Sequence, residues 1–305
     1  MDGPSMRVTN YSISDNAVLN LSTLRGQVDA AQQQISSGKR FTDASVDPAA
    51  AHAVMQNQTQ LRAVTQYQRN VNLATARATL EESALNQLGD ILSRARELAI
   101  AQATDTADAA TRNTAGSEMS QLLAQAVNLG NAKDGADYLF GGTSSSTAPY
   151  AINTSGATAA FTVSGQPTGV RSVQIGSGQQ LTPTHDGDTV FGNATAGPLK
   201  TLQDMAAALQ SNDLPTLRSL IGDSNSAFEK IQSQLGEVGA RASQLQLADS
   251  NLTSLSQQLQ ASTSNLQDVD IEAAITMLTS RQTAYQAAMA ATSRILNLSL
   301  TDYLR

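Results

Sequence analysis

The sequence predicts a mainly α-helical protein with a small all-β insert, in which both chain ends form elongated antiparallel coiled-coil helical arms. Apolar residues recur at helical spacing towards both ends of the 305-residue chain. A strict seven-residue repeat runs through Ile231, Val238, Leu245, Leu252, Leu259 and Leu266. Between the helical stretches, residues 131–198 are rich in Gly, Ser and Thr and carry only short strand-like runs.

Leu21, Leu24, Val28, Ala31 and Ile35 step by three and four, which places them on one face of a helix. That stripe stops at Ser36-Ser37-Gly38, where Gly38 supplies the left-handed residue that ends a helix. Asp47-Pro48 then reads as an N-cap followed by the first helical position. From Ala49 the helical pattern returns, with Leu80, Ala84, Leu88, Ile91, Ala95 and Leu98 expected on a common face. It breaks near Thr104-Asp105-Thr106 and resumes through Met119, Leu122, Leu123, Ala126 and Val127.

Within 131–198 the strand-like runs are Tyr138-Leu139-Phe140, Ala160-Phe161-Thr162-Val163 and Ser172-Val173-Gln174-Ile175. Turn residues separate them, among them Gly141-Gly142, Gly165 and Asp186-Gly187. After this insert the seven-residue repeat begins, with Leu235, Ala242, Leu255 and Ser262 expected between its main positions. The seam slips at Asp268-Val269-Asp270, beyond which Ile271, Ile275, Leu278, Gln282, Tyr285, Met289, Thr292 and Leu296 follow a new phase. The expected domains are 1–45 plus 265–305 as terminal assembly helices, 46–130 plus 199–264 as a helical coiled-coil domain, and 131–198 as a small β-rich domain.

Few residues are available for chemistry. Cysteine and tryptophan are absent, which excludes disulfides, thiolate metal sites and cysteine nucleophiles. His52 reads as an ordinary helix residue, and His185, in the run Thr182-Pro183-Thr184-His185-Asp186-Gly187-Asp188, as a loop residue. Neither has a metal-ligand spacing, and the glycines form no phosphate-binding loop. No catalytic residue, cofactor site or metal site is predicted, and the protein reads as a non-enzyme. The net charge of −7, spread along the chain, argues against a nucleic-acid partner. No apolar run reaches 18 residues, so no helical membrane insertion is expected, and the first residues do not read as a secretory signal. Leu, Ile, Val and Phe make up about a fifth of the chain, a thin apolar content. That thinness suits either an Ala-rich bundle or a protein that finishes its burial against copies of itself.

Several local motifs resemble the bacterial flagellin superfamily. Ile35-Ser36-Ser37-Gly38-Lys39-Arg40 with Asp47-Pro48-Ala49-Ala50-Ala51 resembles the segment between its outer helix and the next one. Leu80-Glu81-Glu82-Ser83-Ala84-Leu85 and Arg94-Ala95-Arg96-Glu97-Leu98-Ala99 are similar to its long core helix. Gly236-Glu237-Val238-Gly239-Ala240-Arg241, Asp268-Val269-Asp270 and Asn297-Leu298-Ser299-Leu300 resemble its returning helix, joint and tail. Tyr138-Leu139-Phe140-Gly141-Gly142, Gly187-Asp188-Thr189-Val190-Phe191 and the ending Leu298-Ser299-Leu300-Thr301-Asp302-Tyr303-Leu304 point to its hook–filament junction branch.

The resemblance implies a structural subunit of the flagellum that joins hook to filament by packing helices between subunits. The alternatives are a filament flagellin and a cytoplasmic coiled-coil bundle. It implies an extracellular location reached through the flagellar type III system without a cleaved signal peptide. The partners implied are an export chaperone before secretion, copies of the chain in a ring, a hook-associated protein on the hook side, and flagellin or filament on the distal side. The residues expected at subunit interfaces are Leu21, Leu24, Val28 and Ile35 near one end and Ile271, Ile275, Leu278, Tyr285, Met289 and Leu296 near the other.

Overall fold

The computed structural model describes the backbone of residues 10–154 and 158–303, and side chains within 15–154 and 158–294. Among the described residues the elements in chain order are α1 (Asn10–Ser37), α2 (Pro48–Gln102), α3 (Ala109–Gly130), β1 (Lys133–Asp134), β2 (Asp137–Tyr138), β3 (Tyr150–Asn153), β4 (Ala160–Val163), β5 (Val173–Gly176), β6 (Gln179–Leu181), α4 (Gly187–Phe191), α5 (Pro198–Ser211), α6 (Leu214–Gln267) and α7 (Ile271–Tyr303). The chain forms two compact units, one holding the residues up to 62 with those from 256 onward, the other holding 63–255.

In the first unit α1 and α7 run antiparallel, with the Arg281 guanidinium donating to the Gln27 carbonyl at 3.1 Å. Helix α1 ends at Gly38, whose φ of 69° is a conformation that a side chain would strain. The chain is tied there by the Val269 N–H donating to the Gly38 carbonyl at 3.0 Å and the Arg40 N–H donating to that of Gln267 at 2.6 Å. Helix α2 starts where the sequence signals it: Asp47 Oδ1 accepts from the Ala50 N–H at 3.0 Å, and its other oxygen accepts from Arg40 at 2.9 Å. The slip between seams is a real break. Helix α6 ends at Gln267, and Asp270 caps α7 by accepting from the Glu272 and Ala273 N–H groups at 3.0 and 3.1 Å. Phe41, Ala50, Ala51 and Val54 form a small core here, with half-buried Leu266 against it.

In the second unit α2 and α6 are antiparallel, as the hydrogen bond from Arg96 to Asn225 at 2.9 Å records. Ile231, Val238, Leu245 and Leu252 are buried along the seam. Helix α2 meets them with a seven-residue repeat of its own: Val64, Val71, Ala78, Leu85 and Leu92 alternate with Ala74, Glu81, Leu88 and Ala95, all buried. Only two positions in seven face the partner helix in such a pair. Leu80 and Leu255, expected on the packed faces, therefore stand 42 and 41 % exposed, and Gln234 rather than Leu235 is the fully buried neighbour of Ile231.

The break after α2 is a turn held from inside by Arg112, whose guanidinium donates to the carbonyls of Gln102 and Thr104 and to Asn212 Oδ1. Asp108 caps α3 through the Thr111 N–H at 2.6 Å. Met119, Leu123, Ala126 and Val127 of α3 are buried, as are Leu199, Leu202, Met205 and Leu209 of α5, which packs on it.

The intervening strands make three separate antiparallel hairpins: β1–β2 pairs Lys133 with Tyr138, β3–β4 pairs Tyr150 with Val163, and β5–β6 pairs Val173 with Leu181. A lone two-stranded hairpin buries too little to stand alone. These lean on helices, the Asn131 amide bracketing the Tyr150 backbone at 2.7 and 3.1 Å, and Gln203 Oε1 accepting from the Phe161 N–H at 3.0 Å. Leu139 and Phe140, expected to continue a strand, turn inward instead. Phe140, Phe191 and Tyr150 form a buried aromatic cluster with ring centroids 4.9 and 5.8 Å apart around Phe191. Gly187 sits against this cluster, where a Cβ would come within 2.7 Å of the Phe140 carbonyl oxygen.

Candidate functional site

The terminal helix pair carries the residues expected at subunit interfaces, and it divides them. Leu21, Leu24, Val28 and Ile35 of α1 and Leu278 and Tyr285 of α7 are half-buried along the strip where the two helices meet. Among the described side chains of this pair, only Ala31, Ala274 and Thr292 are buried outright. Ile271, Ile275 and Met289 face outward at 53, 48 and 44 % exposure, joined by Val18, Leu19 and Met277. Leu296 lies outside the residues whose side chains are described. Two helices alone cover a narrow strip of each other, which leaves large aliphatic groups partly in water. Completing the burial of one such side chain is worth about half of the ~1.5–3 kcal/mol that full burial brings. The described charged side chains on the two helices are few: Asp15, Arg25, Asp29, Glu272, Arg281 and Arg294. The pair thus combines low charge with apolar groups that its own packing leaves uncovered.

The two histidines separate sharply. His52 is exposed on α2, as an ordinary helix residue. His185 lies in the loop between β6 and α4, as read from sequence, but there it is only 8 % exposed and clasped between α2 and α6. Glu81 Oε1 lies 2.6 Å from its Nδ1 and accepts from its backbone N–H at 3.0 Å; Glu237 Oε2 lies 2.9 Å from its Nε2. The Arg241 guanidinium runs alongside, 2.9 Å from Nε2, and donates to Glu237 at 3.3 Å. Burial opposes charging the ring, but the hydrogen bonds to Glu81 and Glu237 outweigh it and raise the His185 pKa. The same contact lowers that of Glu237. The signal that could have found this cluster is Glu81 itself, an acid seven residues from Ala74 and from Leu88 at a core position of the repeat.

Among the described residues no group of three or more His, Asp or Glu is arranged to hold a metal ion. The carboxylates of Glu81 and Glu237 address different ring nitrogens of His185 and do not converge on a common point. An open groove of about 410 Å³ between the start of α5 and α6 is lined by Lys200, Asp204, Asp223 and Lys230, a mixed-charge surface without a nucleophile–base pair. Among the described residues, no helix is long and apolar enough to cross a membrane.

Comparison with known proteins agrees with this architecture. Residues 8–144 match the bacterial flagellin N-terminal helical region, and residues 219–304 match the bacterial flagellin C-terminal helical region. The chain is 27 % identical over 294 residues to flagellar hook-associated protein 3 of Escherichia coli, covering 88 % of this chain and 90 % of that one. The protein of the same name from Salmonella typhimurium is 25 % identical over 310 residues, covering 93 and 95 %. In fold the chain is similar to a putative flagellar hook-associated protein from Vibrio parahaemolyticus, with a TM-score of 0.62 at 20 % identity over 73 % of this chain and all of that one.

Proposed function

The chain belongs to the bacterial flagellin family, and from that premise we propose that it is a structural subunit of the flagellum, forming the junction between hook and filament by helical packing between subunits. The observation that carries this reading is the placement of both flagellin helical regions at the two ends of one chain, two relatives of which, similar along nearly their whole length, are named for hook association. The mechanism follows from the terminal pair. The apolar groups that α1 and α7 leave uncovered are buried when subunits stand side by side, so assembly supplies the burial that the monomer lacks.

In this reading the subunits form a ring, with a hook-associated protein on the hook side and flagellin or filament on the distal side. Ile271, Ile275 and Met289 contact neighbouring subunits directly. Leu21, Leu24, Val28, Ile35, Leu278 and Tyr285 complete their burial there, and Leu296 belongs to the same interface. The protein acts outside the cell, exported through the flagellar type III apparatus after handover from a chaperone, and it performs no catalysis. Disruption of the gene tests the reading by electron microscopy: cells should carry hooks without filaments and shed filament protein into the medium. Normal filaments on the disrupted strain would overturn it.

A further inference from the structure

His185 has partners for two different protonation states. Its Nδ1 and backbone N–H both address Glu81 Oε1, which is fully buried on α2. At Nε2 the geometry offers an acceptor and a donor together, Glu237 Oε2 and the Arg241 guanidinium, each 2.9 Å away on α6. A doubly protonated ring donates to both carboxylates, while Arg241 is satisfied through Glu237. A neutral ring keeps the proton at Nδ1 for Glu81, and its bare Nε2 then repels Glu237 and turns to Arg241 as acceptor. The ring is thus a two-way connector between helices.

What the connector holds is the segment leading into α4. Residues 182–186 join β6 to α4, and Gln234 of α6 secures α4 itself by donating to the Thr189 carbonyl at 2.8 Å. Other charged groups face the ring's surroundings but are committed elsewhere. Arg77 of α2 pairs with Asp134 at 2.9 Å, and Arg171 pairs with Asp137 at 3.1 Å. Asp186, next to His185, accepts from the Gly169 and Thr189 N–H groups. Asp188 lies in the first turn of α4.

We propose that His185 is a proton-dependent clasp, holding residues 182–191 firmly to α2 and α6 when the imidazole carries both protons and loosening that segment when Nε2 gives its proton up. The inference stands on this geometry and not on the junction reading. The raised His185 pKa fixes the sign. The clasp is fully engaged below the ordinary imidazole value of 6.5 and is lost as pH rises through the folded-state value. The lowered Glu237 pKa sets the acid limit, since the Glu237 contact disappears as pH falls through its own folded-state value.

The full chain with the exposed His52 changed to Gln leaves one imidazole to follow by proton NMR through its Hε1 signal, beside amide hydrogen exchange of residues 182–191. The His185 signal should titrate above the ordinary histidine range. Protection of 182–191, corrected for intrinsic exchange, should weaken by at least about fivefold between about pH 6 and about pH 9. Because His185→Gln is free to misfold, Glu237→Gln serves as the second variant: the Glu237 side chain is mostly exposed, so the chain should fold, yet the His185 midpoint should fall and the alkaline loss of protection should shrink. A His185 signal titrating at or below the ordinary range overturns the proposal. So does protection of 182–191 that ignores pH, or a Glu237→Gln chain with an unchanged midpoint.

Discussion

Replacing Leu245 and Leu278 separately by Ala tests the difference between the two helix pairs. Leu245 is fully buried in the α2–α6 seam, and Leu278 is half-buried between α1 and α7. Truncating Leu to Ala deletes about three carbons, a transfer loss of roughly 2.4 kcal/mol at ~0.8 kcal/mol each when burial is complete. At Leu245 the packed surroundings leave a cavity, so the expected loss is within the ~2.7–5 kcal/mol found for such sites. At Leu278 only about half the transfer loss applies, roughly 1 kcal/mol, and the site opens to water so no cavity remains. Thermal unfolding of the purified monomer followed by circular dichroism reads both. A loss of about 3 kcal/mol lowers the midpoint by roughly 6–12 °C for a domain of this size, and a loss of about 1 kcal/mol by roughly 2–4 °C. Equal losses in the two variants, or a larger one for Leu278→Ala, would refute the claim that α1 and α7 are incompletely buried in the monomer.

Limited proteolysis of the dilute monomer should trim both termini first and leave a folded fragment containing residues 63–255, because cleavage follows local opening; mass spectrometry identifies the fragment, and early cuts inside α2 or α6 would contradict this. Ile275→Asp should leave the monomer's melting curve within about 0.5 kcal/mol of the parent, since the side chain is 48 % exposed, while abolishing filament attachment in cells. Gly187→Ala should destabilise by about 1–3 kcal/mol, because the added Cβ meets the Phe140 carbonyl oxygen, Pro167 Cβ and Tyr150 Oη at 2.7–2.9 Å; denaturant unfolding measures it, and an unchanged midpoint would mean that the aromatic cluster gives way freely.

Much of the fold is written locally in the sequence. Gly38 ends α1 because a left-handed residue without a Cβ is needed there, and Asp47-Pro48 opens α2 because a carboxylate cap and a fixed φ suit a first turn. Asp268-Val269-Asp270 separates α6 from α7 because the capping carboxylate and the slip of the repeat fall together. The repeat from Ile231 to Leu259 marks one side of the long helix pair. Each of these depends on residues within a few turns of one another, so backbone preference and side-chain spacing are enough to place them.

Tertiary structure decided which faces are covered and by what. Leu80 and Leu255 are as apolar as their buried neighbours, but the partner helix does not reach them. Leu139 and Phe140 have strand-forming character, yet the nearby aromatic rings take them into a core instead. The ten expected interface residues look alike in sequence, and only the pairing of α1 with α7 separates half-buried Leu278 from exposed Ile275. His185 and Glu81 are 104 residues apart, and although the core position of Glu81 marks an acid in need of a partner, nothing near it says that the partner is His185. Burial and charge pairing are properties of neighbours in space. A loop histidine becomes the connector between two helices only when the folded chain withdraws it from water and sets two carboxylates and a guanidinium against its ring.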